Sequence, residues 1–155
     1  MKKVRFYDSV EDSLLRFAVI LARSGDKWVF CKHRERDTYE VPGGHREPGE
    51  DIDTTARREL YEETGALIYT LQPVCVYSVA DSEDTDVQIN STGQPDTGSS
   101  EESFGMLYFA RIESFESELH SEIEKIILTE KLPGQWTYPE IQPKLLEEAR
   151  RRGIL

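Results

Sequence analysis

Three glutamates set the chemistry open to this chain. Glu59, Glu62 and Glu63 are spaced i, i+3 and i+4, so on a helix their carboxylates can meet on one face. With Ile52 as zero and a step of about 100° per residue, Leu60 falls near 80°, Glu63 near 20°, Glu59 near 340° and Glu62 near 280°. The acidic stripe therefore overlaps the edge of the apolar stripe formed by Ile52, Ala56 and Leu60. A helix that is merely soluble puts its acids on the far side. Carboxylates crowded at a half-buried edge repel one another and titrate as a set, so they call for positive charge. Arg58 can reach Glu62 at i+4, but one guanidinium does not neutralise three acids. A hard divalent cation with oxygen ligands does, and Mg²⁺ suits a few carboxylates plus waters.

The elements that must hold these acids are legible around them. Tyr39 to Val41 reads as the end of a strand, since Pro42 cannot donate to a central ladder. Gly43 and Gly44 permit a loop. Glu47-Pro48-Gly49-Glu50 has Pro and Gly at the central positions of a type II turn. Asp51 is an N-cap residue type with Asp53 in the positive first turn, a helix runs from about Ile52 to Thr64, and Gly65 ends it.

Gly44, Glu50, Arg58, Glu59, Glu62, Glu63 and Gly65, at these spacings, resemble the Nudix box of the Nudix hydrolase superfamily at every fixed residue type. Leu60 fills one aliphatic slot. Ala66 fills the other, smaller than usual, with Leu67 beside it. Tyr39 to Gly44 is similar to the approach strand of MutT-like members. The resemblance implies an α/β (α+β) fold, an α/β/α sandwich around a mixed sheet, and Mg²⁺-dependent hydrolysis of a nucleoside diphosphate linked to another moiety, with Mn²⁺ as an alternative ion. It implies that Glu59 and Glu63 hold the metal, helped by Glu50, Glu62 and the Gly44 carbonyl. It implies that Arg58 orients Glu62, and that the general base is Glu62 or an acid outside the box. Glu122, at the start of a predicted strand over Glu122 to Leu128, matches that second place best, with Glu124 next.

A chain of 155 residues suits one domain, residues 1–155. Its net charge of −11 argues against binding nucleic-acid backbones, though metal ions can bring a small nucleotide to an acidic site. Cys31 and Cys75 are too few for a disulfide framework and read as reduced core residues. The N-terminus lacks the apolar run of a signal peptide and no stretch approaches a membrane span, so the cytoplasm is the expected compartment. The oligomeric state, monomer or homodimer, stays open.

Elsewhere, Val4 to Tyr7 and Leu14 to Ala22 read as strands, the second nearly apolar and so central. Lys27 to His33 returns to it as a hairpin across Arg23-Ser24-Gly25-Asp26. Arg34 to Asp37 is a charged loop, either a solvated turn or a place from which Arg34 or Arg36 reaches a substrate phosphate. His33, His45 and His120 have no metal-ligand spacing and none is read as a ligand; His45 reads as an exposed loop histidine. Leu67 to Ala80 is one bent strand or two short ones with Pro73 at the kink. Asp81 to Ser103, almost without apolar residues, is either a mobile loop or a lid that brings Glu101 and Glu102 towards the metals. Phe104 to Ile112 is a strand. A last helix spans about Pro139 to Arg152, with Leu145 and Leu146 facing the core and Glu147, Glu148 and Arg150 to Arg152 solvated.

Substrate is less determined. Glu40 resembles a residue of members that clean oxidised nucleoside triphosphates, but Ile141 and Gln142 stand where such members carry a base-recognising asparagine. Nucleoside triphosphates, nucleotide sugars, dinucleoside polyphosphates and RNA ends stay open, with RNA disfavoured by the acidity. Tyr7, Phe17, Phe104 and Tyr138 are candidates to stack a base. Two rival classes are a catalytically silent nucleotide sensor, against which no box acid is missing, and a Ca²⁺ module, for which no D-x-D-x-D-G loop is present.

Overall fold

The computed structural model describes residues 2–81, 102–117 and 123–155, with side chains from 126 onward in the last segment. Glu101, His120, Glu122, the Glu124 side chain and the lid reading of the segment after Asp81 therefore lie outside the described residues.

The strands are β1 (Lys2–Tyr7), β2 (Leu15–Ser24), β3 (Lys27–His33), β4 (Gly43–His45), β5 (Ala66–Asp81), β6 (Ser103–Phe115) and β7 (Ile123–Thr129), with helices α1 (Ile52–Thr64) and α2 (Gln142–Arg151). They form one seven-stranded mixed sheet, ordered β1-β5-β6-β2-β3-β7 with β4 also on β2. The β2–β6 pair is parallel and the others are antiparallel.

Alternation along the strands builds two cores, because successive side chains point to opposite faces. Ala18, Ile20, Ala22, Val29, Tyr108 and Ala110 lie with Ala56 and Leu60 of α1. Leu21, Trp28, Phe30, Leu107 and Phe109 lie with Leu145, Leu146 and Ala149 of α2. The result is the expected sandwich, a helix on each face of a sheet. Small residues on β2 let α1 approach closely, and the Tyr108 hydroxyl donates to Asp53 near the start of that helix.

The edge pairing of β2 is divided. Its end, Ala22 to Ser24, pairs with β3 across the Gly25 turn, while Phe17 to Val19 pair with β4. This corrects the strand expected at Tyr39 to Val41. Those residues make only isolated bridges, Cys31 with Glu40 and Tyr39 with Trp136, and the paired segment starts after Pro42. The proline carbonyl still accepts from Ile20 N at 2.9 Å, so the ladder crosses a residue that lacks only the donor.

α1 spans the expected residues. Asp51 accepts from Thr54 N at 2.7 Å, and Gly65 closes the helix at φ +75°. Before it, Glu50 N donates to Glu47 O, with Gly49 at φ +85° as the type II turn requires. β5 is one strand, and its register with β6 shifts between Pro73 and Cys75. β1 reaches only its second half, from Val76 to Asp81, so its first half has an open edge among the described residues. Leu67 and Ile68 there are 52% and 58% exposed. α2 starts at Gln142, with Pro143 in its first turn, rather than at Pro139. Residues just before it are tied to the sheet: Tyr39 N donates to Gln135 O and Thr137 N to Tyr39 O. Glu148, expected in solvent, is buried and gripped by Arg151 and Arg152.

Candidate active site

A cleft of about 1060 Å³ runs across the sheet edge between the α1 end of the molecule and the first turn of α2. One end is acidic. Glu59 and Glu63 project from α1 towards the Gly43-Gly44 strand, and both are largely buried, with side chains 14% and 8% exposed. Glu62 is 41% exposed and Glu50 12%. The close approach of α1 to β4 explains Gly44: a Cβ there would lie 2.3 Å from the Glu59 carboxyl carbon. Gly43 N donates to Glu63 Oε1 at 3.1 Å, and Glu63 Oε2 is buried with no hydrogen-bond partner.

Arg58 sits among these acids. It forks onto Glu50 with Nε and Nη2, at 2.7 and 3.0 Å, reaches Glu59 at 2.8 Å and the His45 carbonyl at 3.0 Å, and touches Glu62 at 3.3 Å. Its principal partner is thus Glu50, with Glu62 the more distant carboxylate. The guanidinium holds Glu50 down to about 2. Glu59 goes the other way, to about 7, because burial disfavours its charge and the Glu63 carboxylate repels it.

His33 joins the site from β3. Its Nε2 is 3.3 Å from Glu40 Oε1 and 3.6 Å from Glu63 Oε2, the latter an ion-pair contact rather than a hydrogen bond. Glu63 raises the imidazole pKa against the opposing effect of burial, and burial raises that of Glu40. No local signal marked this histidine: β3 carries it opposite α1, and only the packed sheet brings the three groups together. Arg36 lies further along, 3.5 Å from Glu40 Oε1, with its guanidinium 5.9 Å from the Tyr138 ring.

The other end of the cleft is mainly apolar, lined by Phe17, Val19, Tyr77, Val79, Ile141 and Leu145, with the Lys2–Asp81 ion pair also in the lining. Gln142 is buried there, and its Oε1 accepts from Val41 N at 2.9 Å. Of the four aromatic candidates, Phe17 and Tyr138 line the cleft. Tyr7 and Phe104 meet each other instead, in a tilted pair with centroids 5.6 Å apart. Glu102 is held by Tyr7 and Arg5 of β1.

The donor set suits a hard divalent cation. Carboxylates predominate, one buried oxygen is unsatisfied, the Glu59 pKa is held up by burial and by Glu63 although it shares Arg58 with Glu50, and Gly44 brings its backbone against the Glu59 carboxylate. Among the described residues no three His, Cys, Asp or Glu side chains stand as a ready-made ligand set. Arg58 draws Glu50, Glu59 and Glu62 to itself instead.

Residues 13–148 match the NUDIX domain. The chain belongs to the Nudix hydrolase superfamily. Over 115 residues it is 32% identical to the Bacillus subtilis (strain 168) protein named "Putative 8-oxo-dGTP diphosphatase YtkD"; the match takes in 74% of this chain and spans 61% of that relative's length. A variant of the Bacillus subtilis pyrophosphohydrolase BsRppH superposes with a TM-score of 0.73 at 25% identity, over 98% of this chain and 91% of that one. A UDP-X diphosphatase has the same fold, with a TM-score of 0.65 at 16% identity, over 94% and 65% of the two chains. This Nudix chain has no helix, among its described residues, long and apolar enough to cross a membrane.

Proposed function

We propose that this protein is a divalent-metal-dependent pyrophosphohydrolase of nucleoside triphosphates, which adds water to release a nucleoside monophosphate and pyrophosphate. The observation that carries this reading is a cleft with the box acids, Gly43 and Gly44 towards one end and mainly apolar side chains towards the other. Anionic phosphates belong with metal at the first end and a planar, weakly hydrated group at the second. The relatives named for diphosphatase and pyrophosphohydrolase activity support the same class.

In this reading Glu59 and Glu63 hold Mg²⁺ or Mn²⁺, with Glu50, Glu62 and the Gly44 carbonyl contributing. The ion supplies neutralisation of phosphate oxygens and acidification of water. Glu62, the most exposed of the box acids, is the general base within reach of solvent, and Glu122 is the second candidate. Arg58 fixes the ionised Glu50 and shares its charge with Glu59. Arg36 and Glu40 are the proposed substrate-binding residues, with Arg36 reaching a substrate phosphate. The cytoplasm is the proposed compartment, on two free buried thiols, and residues 1–155 act as one domain.

The test is release of phosphate through a coupled phosphatase or pyrophosphatase, with and without Mg²⁺. Substrates are the common nucleoside triphosphates, 8-oxo-dGTP, nucleotide sugars and dinucleoside polyphosphates. Mg²⁺-dependent turnover of triphosphates supports the proposal. Silence from folded protein that binds Mn²⁺ transfers weight to a nucleotide sensor.

A further inference from the structure

We infer that Phe17, seated on Gly105, is the stacking platform for the nucleobase, and that Gly105 is a positioning residue that sets the plane of its ring. The inference rests on the nucleotide reading above and assigns the apolar end of the cleft to a planar heteroaromatic group rather than to a sugar.

The geometry starts from two registers. Phe17 of β2 and Tyr77 of β5 each pair with Gly105 of β6, one from either side. Their side chains meet over the glycine, with ring centroids 5.4 Å apart and tilted by 58°. A Cβ on residue 105 would lie 2.1 and 2.2 Å from two Phe17 ring carbons. These distances are far inside van der Waals contact, so the ring lies where any side chain would be. The His45 ring also meets Phe17, in a T-shaped pair with centroids 6.2 Å apart. Tyr77 is 2% exposed, whereas Phe17 is only partly buried and lines the cleft.

Phe17 is therefore packed against the Gly105 backbone with Tyr77 and His45 as ring neighbours, and its partly exposed remainder lines the cleft. An aromatic face fixed by packing attracts another planar ring at little cost in side-chain entropy. Every nucleobase offers such a ring, which makes the contact tolerant of base identity. The platform also lies beside β4, whose Gly44 adjoins Glu59, so it borders the acidic end of the same cleft.

An aromatic ring covering a strand glycine can also be pure sheet packing. The experiment must therefore read something packing does not change. Steady-state kinetics with Mg²⁺ would compare a nucleoside triphosphate with ribose 5-triphosphate, which is the same molecule without its base, for the wild type, Phe17→Leu, Phe17→Tyr and Gly105→Ala. Thermal melts would report folding of each variant.

We expect Phe17→Leu to raise KM for the nucleotide, relative to the base-free compound, by about tenfold, within the range stacking contributes. Most of its kcat should survive, and Phe17→Tyr should recover KM. Gly105→Ala should copy Phe17→Leu, or fail to fold, in which case the Phe17 pair decides. An equal change for both substrates, or an unchanged KM in folded Phe17→Leu, overturns the platform. A wild type that cleaves no nucleotide overturns the functional reading instead, and binding of nucleosides by the wild type and Phe17→Leu then decides the platform separately.

Discussion

Glu59 occupies the space beside Gly44 that a side chain at position 44 would fill, with a hypothetical Cβ 2.3 Å from its carboxyl carbon and 2.7 Å from the farther oxygen. The glycine is required by the carboxylate and not by its backbone angles, since it is absent from the positive-φ glycines. Gly44→Ala should thus leave the fold in place and displace Glu59. We expect kcat to fall by about 100-fold or more, as for loss of a group acting on the reacting phosphates, with weaker Mn²⁺ binding by electron paramagnetic resonance. Normal Mn²⁺ affinity in this variant would detach Glu59 from the metal.

Glu63 is the most buried of the box acids, and one of its oxygens has no hydrogen-bond partner. Glu63→Gln removes like charge next to Glu59, so at pH 8, where Glu59 is ionised and His33 has less charge to lose, the metal-free protein should melt at the same temperature or higher while turnover drops by orders of magnitude. Activity near that of the wild type, in protein shown to be folded, would remove Glu63 from the metal site.

Arg58 is the counter-charge common to Glu50 and Glu59. Substituting it by alanine leaves both partly buried carboxylates without their partner, a change more costly than losing an exposed ion pair. Arg58→Ala should lower the melting temperature by several degrees, and Arg58→Lys should recover only part of this because lysine cannot make the two-nitrogen fork onto Glu50. Equal melting of Lys and Arg forms would show that charge alone matters there.

The carboxylates also set a pH dependence. Glu59 holds its proton to about pH 7 in the folded protein, against an ordinary value of 4.5. Between those values the folded state binds a proton that the unfolded chain has released, so metal-free stability falls as pH rises through this window. Glu40 is shifted in the same direction. His33, raised by Glu63, adds stability that is present below its ordinary 6.5 and is lost as pH climbs through its folded value. Glu50, depressed to about 2, acts oppositely: its contribution is present above 4.5 and is lost as pH falls towards 2. In chelator, the melting temperature should peak near pH 5 and decline by pH 8, and added Mg²⁺ should raise it most at pH 8. A metal-free melting temperature that climbs from pH 5 to 8 would contradict this electrostatic account.

How far the sequence could be read depended on the range of each interaction. The bounds of α1 were legible because Asp51 and Gly65 are local stops acting within a turn of the helix. The Gly25 hairpin and the Pro48-Gly49 turn are equally local. The acidic stripe was legible because helical spacing alone places Glu59 and Glu63 on a face. His33 was not, since its meeting with Glu40 and Glu63 needs the sheet and α1 assembled first. The contact of Phe17 with Gly105 needs a parallel pairing of strands far apart in the chain. The start of α2 was misplaced because Pro139 and Pro143 both suit a first turn, and the tie between Tyr39 and Thr137 holds the earlier one out of the helix. The pairing of Glu148 with Arg151 and Arg152 is local, at i+3 and i+4, but its burial depends on how α2 packs on the sheet, which no neighbouring residue announces.

The open edge along the first half of β5 bears on how the molecules behave towards one another. Among the described residues no strand pairs with this edge, and with Leu67 and Ile68 exposed there it makes a template on which a second chain could add a strand. A net charge of −11 keeps such edges apart at neutral pH and low salt. Near the isoelectric point of about 4.8 that repulsion vanishes. The acidity that suits folding of the metal-free site is therefore the acidity at which the protein should precipitate, and light scattering across pH 5 to 8 would find colloidal and conformational stability moving in opposite directions.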